Sequence, residues 1–241
     1  MKLLPGPALT GVTWGQTTRE GGASTGQYAS ANLAPHVGED VETTAANWRH
    51  LAAALGFGRE DLATCEQVHG NEILRVGHGG HKHLPADALV STKRHLGVGI
   101  YTADCVPVLY AVPGRGVAAA HCGWRGTAAG LAGATLEVLA KAVHVRADEV
   151  EIWLGPAIAQ CSYEVGEEIT EVFDARYLRE RGGGKYELDV GGAVVADLLA
   201  SGADASRVRR SPVDTYRDRS CYSYRRDGSP TGRMLSYVRL E

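Results

Sequence analysis

The chain has 241 residues, of which 44% are hydrophobic and 22% charged, ordinary globular usage that excludes intrinsic disorder, collagen-like repeats and long coiled coil. Lysine and arginine number 25 against 28 aspartates and glutamates, a net charge of −3, and the two signs are scattered, so no basic footprint for nucleic acid stands out. The length allows one large domain or two small ones; with no repeat period and no long linker, residues 1–241 read as a single domain.

Residues 1–11 are too short a stretch, and too broken by Pro5, Gly6 and Pro7, for a secretory leader. The apolar stretch 97–112 is interrupted by Asp104, against a bilayer span. Cys65, Cys105, Cys122, Cys161 and Cys221 are odd in number and form no CxxC pair, which fits reduced thiols in a cytoplasm.

In chain order, the Gly/Ser/Thr-rich first forty residues read as loop with short strands. Val41, Ala45, Trp48, Ala52 and Leu55 recur at helical spacing before Gly56, which predicts a helix. Residues 73–90 bring histidines and glycines, then an apolar run. Residues 97–102, 107–112 and 116–120 read as successive strands of a buried sheet. A helix is predicted over 128–142 and a strand over 150–154. An amphipathic helix is predicted over 167–178 with Ile169, Val172 and Phe173 inward, then a flexible loop over 181–185. Residues 189–200 read as a helix capped by Asp189, and 234–240 as a closing strand. Strands and helices in no strict βαβ alternation favour an α+β layered sandwich with mixed sheets over a doubly wound fold. The absence of a GxGxxG turn gives a nicotinamide or flavin enzyme little support.

Three segments put metal-capable side chains on or beside apolar strands: 67–70 with His69, 102–105 with Asp104 and Cys105, and 120–123 with His121 and Cys122. His69, Cys105 and His121 would supply the three protein ligands of a catalytic zinc that keeps its fourth position open. Their spacings, 36 and then 16 residues, follow no finger or ribbon pattern, so the residues alone leave open a second reading, separate core residues near strand ends. Neighbours in an extended segment face opposite ways, which argues against His121 and Cys122 sharing one metal. Asp104, beside Cys105, suits a supporting or acid/base role, or is a turn aspartate.

Residues 123–127 lead into a helix, where Arg125 and free backbone N–H groups can hold an anion such as phosphate, unless Arg125 pairs with a carboxylate. Arg225 and Arg226, within 223–228, and Arg19 in the early loop read by default as solvated charge. His78, His81 and His83 read as a surface loop. The H-x-E and P-C-x-x-C signature of zinc base deaminases is absent.

Segments in order along the chain, 18–24 (TREGGAS), 67–70 (QVHG), 86–90 (ADALV), 102–108 (TADCVPV), 121–126 (HCGWRG), 155–158 (GPAI), 163–166 (YEVG) and 223–228 (SYRRDG), together resemble the YfiH-like, laccase-domain family. That family is known both as multicopper polyphenol oxidoreductases and as purine nucleoside phosphorylases with adenosine deaminase activity. The resemblance implies an α/β/β/α layered fold and a zinc site from His69, Cys105 and His121, with copper the alternative metal. It implies phosphorolysis of adenosine-, inosine- or guanosine-type nucleosides, extending to 5′-methylthioadenosine, and deamination of adenosine to inosine. On this reading Cys105, His121, Asp104 and Arg125 are catalytic, Asp104 as a proton shuttle, and Arg19, Arg125 and Arg225 hold phosphate. The expected partners are a small-molecule nucleoside and phosphate, with no nucleic acid and no membrane.

Cys122 departs from the small residue usual before Gly-Trp-Arg-Gly, and Asp214-Thr215-Tyr216 stands where a Cys-Thr pair is common; neither touches the ligand set. Copper-dependent phenol oxidation would need several imidazole-rich centres, and the nine histidines include one H-x-H. A cysteine hydrolase with Cys105 as nucleophile and His121 as base, acting for example on muropeptide precursors, is a further alternative. A non-catalytic module with a structural metal is another.

Overall fold

Two six-stranded mixed sheets lie against each other, and the computed structural model describes residues 1–241. The chain opens with β1 (Leu3–Pro5) and β2 (Val12–Thr17), then helix α1 (Val41–Leu55). Asp40 caps α1 by accepting from the Thr43 N–H at 2.8 Å, and Gly56, at φ +76°, ends it in a left-handed conformation that suits glycine. From there the chain steps back and forth between the sheets. Strands β3 (Leu62–Glu66), β5 (Gly80–Pro85) and β7 (Gly97–Thr102) join the first sheet; β4 (Ile73–Arg75), β6 (Ala88–Ser91) and β8 (Val106–Val112), which follow each of them in turn, join the second.

Strand β9 (Gly116–Cys122) pairs with β8 and leads into α2 (Trp124–Ala128), α3 (Leu131–Val143) and β10 (Glu151–Leu154). A small sheet of β11 (Glu164–Gly166), β12 (Leu178–Gly182) and β13 (Lys185–Leu188) precedes α4 (Val190–Ala200), β14 (Val208–Arg210), the short α5 (Tyr224–Asp227) and β15 (Met234–Leu240). The strand order is β1-β2-β15-β7-β3-β5 in the first sheet and β14-β10-β8-β9-β6-β4 in the second.

Every residue of β7, β8 and β9 is buried, because each of these strands is covered on both faces; that is why they read as continuous apolar runs. Val98, Ile100, Leu109, Ala111, Val117 and Ala119 form the core between the sheets. Trp48 and Leu51 of α1 pack with Leu62, Tyr101 and Leu235 outside the first sheet. Leu136 and Leu139 of α3 and Val194 and Leu198 of α4 pack with Val108, Tyr110 and Ala118 outside the second. The layers are therefore helix, sheet, sheet, helix, the α+β sandwich that the sequence predicts. The close approach of β7 to β15 depends on Gly97, where a Cβ would sit 2.9 Å from the Val238 carbonyl oxygen.

The strands predicted at 97–102, 107–112, 116–120, 150–154 and 234–240 form within two residues of those bounds. Asp189 caps α4 as expected, accepting from the Gly192 N–H at 2.9 Å. The helix predicted over 128–142 forms as α3, three residues late at its start because Gly130 adopts φ +73° and separates it from the short α2. The helix predicted over 167–178 does not form. Two 3-10 turns, Glu167–Glu171 and Ala175–Tyr177, replace it, Asp174 capping the second through the Arg176 N–H, and the chain then enters β12. Ile169 and Phe173 still reach the core, while Val172 faces solvent. The loop at 181–185 is the β12–β13 hairpin, turned by Gly182, Gly183 and Gly184, all at positive φ. His81 and His83 lie on the edge strand β5 rather than in a loop, and a His81 ring nitrogen meets the Thr64 hydroxyl at 3.0 Å. No helix is long and apolar enough to cross a membrane.

Candidate active site

The repeated crossing between sheets gathers the reactive residues at one place. His69 lies on the β3–β4 crossover, Asp87 on β5–β6, Asp104 and Cys105 on β7–β8, and His121 near the end of β9. The ligand atoms of His69, Cys105 and His121 all lie within 4.8 Å of one another, so the reading of three separate core residues does not hold. Two imidazoles and a thiol facing one another form a donor set suited to zinc or copper. Space is reserved beside them: a Cβ on Gly123 would sit 3.3 Å from Cys105 Sγ and 3.2 Å from His69 Cδ2. Cys122 is buried in the hydrophobic core and is no member of the group, as strand alternation predicts.

Asp87, fully buried, organises this group. Its Oδ1 lies 2.8 Å from His121 Nδ1, which leaves His121 Nε2 as the free donor, and the same carboxylate accepts backbone N–H bonds from Val68, His69 and Gly70 at 3.2, 3.0 and 2.6 Å. Those three bonds hold His69 in a left-handed conformation, φ +59°, that is uncommon for a residue with a side chain. Burial would raise the Asp87 carboxyl, but the His121 bond and the Gly70 and Val68 N–H groups outweigh it and hold it low. Burial would likewise raise the Cys105 thiol, yet His121 and His69 pull it down to about 6. Burial would lower His121, but Cys105 and Asp87 hold it above its ordinary value. Asp87 carries no predicted role, although a carboxylate between two alanines at the start of an apolar strand signals a buried charge with dedicated donors.

Asp104, at φ +101°, accepts from three donors: the Thr215 hydroxyl at 2.7 Å, the Ser223 hydroxyl at 3.0 Å and the Arg225 N–H at 2.7 Å. It ties the crossover that carries Cys105 to the segment that carries Arg225. Beside Thr215, Asp214 accepts from the Ser162 hydroxyl at 2.6 Å, next to Tyr163.

A cavity of about 510 Å³ opens over the group, lined among others by His36, Tyr101, Trp124, Arg125, Tyr163, Tyr224, Arg225 and Arg233. Arg125 and Arg225 thus line the cavity. Arg19 does not line it: its guanidinium bonds the Ala29 carbonyl at 2.8 Å and faces Asp227 at 3.6 Å. Arg226, expected as solvated charge, is a buried strut whose guanidinium donates to the carbonyls of Thr215, Tyr216, Asp218 and Cys221. His36 and Arg233 carry no predicted role, since an irregular segment and the residue before a strand show no periodicity, and Tyr163 is signalled only as the first residue of the 163–166 segment.

Residues 13–241 match the family described as multi-copper polyphenol oxidoreductase laccase. The chain belongs to this family. It is 34% identical over 250 residues, 96% of this chain and 91% of the relative, to purine nucleoside phosphorylase YlmD of Geobacillus stearothermophilus. To a purine nucleoside phosphorylase of Deinococcus radiodurans it is 38% identical over 244 residues, 100% of this chain and 93% of the relative. The crystal structure of the Geobacillus YlmD matches with a TM-score of 0.89 at 32% identity, covering 96% of this chain and 93% of that one. YfiH of Bacillus licheniformis matches with a TM-score of 0.89 at 27% identity over 95% and 93%. The family's description and its relatives' names point to different chemistries. This laccase-domain chain presents one three-residue His/Cys/His group, where multicopper oxidation calls for several centres.

Asp87→Asn is expected to weaken metal binding roughly 10- to 100-fold, the usual cost of losing a carboxylate behind a ligating histidine. Competition against a chromophoric chelator measures this; unchanged affinity would remove Asp87 from the account.

Proposed function

We propose that this laccase-domain protein is a zinc-dependent purine nucleoside phosphorylase that also deaminates adenosine to inosine. The observation that carries the reading is a single open cavity joining the His69/Cys105/His121 group to guanidiniums and aromatic rings. The names of the relatives support phosphorolysis. Zinc in a three-ligand site supplies Lewis acidity and makes water acidic near neutral pH, the chemistry that deamination of a purine requires.

The chain's own residues do the rest. Arg125 and Arg225 hold phosphate and orient it toward the ribose C1′, as the C1′–N bond to the purine breaks and the bond to phosphate oxygen forms. Trp124 and Tyr163 offer rings for the planar base. Asp104, with both oxygens engaged by three donors, is better suited to hold Arg225 and Cys105 in register than to shuttle a proton, and the proposal assigns it that positioning role.

Chromatography of inosine and adenosine incubations of zinc-loaded protein tests the reading. Hypoxanthine and ribose 1-phosphate should form from inosine only when phosphate is present, and inosine should form from adenosine without it. Unchanged nucleosides would refute it. Arg125→Ala should raise the KM for phosphate about tenfold, the worth of one charge-assisted hydrogen-bonding group, in initial-rate phosphorolysis assays.

A further inference from the structure

Three arginines reach the cavity, each over an aromatic ring that lines it: Arg125 over Trp124 at 4.2 Å to the centroid, Arg225 over Tyr163 at 5.1 Å and Arg233 over Tyr224 at 5.8 Å. None has a carboxylate within ion-pairing distance, although most other arginines on the protein do. Guanidiniums that line a cavity without a paired carboxylate mark a place for anionic groups of a ligand, here with Cys105 and Asp104 near enough to Arg233 to favour its charge. Two forked guanidiniums suffice for one inorganic phosphate, which leaves one over.

The three are carried by different segments, although Arg225 is next in sequence to Tyr224, whose ring lies under Arg233. Arg125 follows β9 of the second sheet, and Tyr163, which carries Arg225 on its ring, follows β10 of that sheet. Arg233 immediately precedes β15 of the first sheet, and its Nη1 is tied to the Thr231 and Gly232 carbonyls at 2.8 and 3.1 Å, leaving its other nitrogens available. His36, edge-on to Tyr101 of β7 at 5.7 Å between centroids, belongs to the same wall. A nucleoside bound with C1′ toward Arg125 and Arg225 can direct its 5′ carbon toward Arg233.

We infer that Arg233, on the wall shared with His36, is a second anion pole that takes the 5′-phosphate of a purine nucleoside monophosphate, while Arg125 and Arg225 serve inorganic phosphate. This rests on the nucleoside reading of the site. The ligand class therefore includes purine nucleotides, which compete with nucleosides for the cavity.

Titration calorimetry of the zinc-loaded full chain in phosphate-free buffer tests it with inosine and inosine 5′-monophosphate, a pair that the proposed activities leave intact under those conditions. The monophosphate should bind at least about tenfold tighter than inosine, an advantage that shrinks as ionic strength rises. In Arg233→Met the advantage should fall below about threefold, and Arg233→Lys, which keeps the charge, should retain part of it. Equal affinity of the two ligands in the wild type, or an advantage that survives Arg233→Met, overturns the inference while leaving the nucleoside reading intact. Failure of inosine itself to bind overturns the nucleoside reading and the inference with it.

Discussion

Cys105→Ala is expected to lower bound zinc from about one per chain to under a tenth of that, and inosine phosphorolysis by roughly a thousandfold or more. The reason is geometric. Cys105 is the only sulfur in the group, and His121 and His69 are what draw its proton away. Alanine removes one sulfur from a half-buried crossover without adding volume, so the layers of the sandwich should persist, and circular dichroism and the melting transition should stay near those of the wild type. Full zinc occupancy in a folded Cys105→Ala protein would separate the thiol from the metal and leave the proposed centre without its third ligand.

Metal removal should have the second largest effect. Dialysis against a chelator is expected to abolish both phosphorolysis and deamination, and added zinc to restore them. A cysteine hydrolase using Cys105 and His121 would instead survive chelation. Peptide mapping after alkylation at pH 7 supplies an independent readout. In metal-free protein the Cys105 thiol, drawn down to about 6 by its histidines, is mostly thiolate and should be labelled, together with the exposed Cys161. Buried Cys65 and Cys221, both pushed up to about 12 by burial, should stay unlabelled. Zinc should protect Cys105 and leave Cys161 reactive. Labelling of Cys105 at the same rate with and without zinc would contradict the ligand assignment.

The central strands and the helices α1 and α4 are legible in the sequence because their burial is regular: β7 to β9 are covered on both faces, and α1 and α4 carry side-chain caps. The region around 167–178 misleads for an equally physical reason. Ile169 and Phe173 do reach the core, but from a 3-10 turn and the residue before Asp174, whose side chain caps a second turn and restarts the chain direction, so apolar spacing alone imitates a helix. Within the site, the chemistry of His69, Cys105 and His121 is visible residue by residue, while their convergence depends on the chain crossing between two sheets, a feature no local pattern encodes. Asp87 and Arg226 show the same limit. Each is a charged residue whose burial is made tolerable by backbone partners outside any helix or strand period, from 68–70 for Asp87 and from the irregular stretch 215–221 for Arg226, and a single sequence displays the charge without the partners.

The central claim is that His69, Cys105 and His121 together hold one zinc ion with a position left open. X-ray absorption at the zinc edge on the purified protein tests it most directly. One sulfur at about 2.3 Å and two imidazole nitrogens at about 2.0–2.1 Å, completed by a light oxygen or nitrogen donor, is the expected first sphere, with the sulfur contribution lost in Cys105→Ala. A sphere with no sulfur, or one with two or more, would contradict the account.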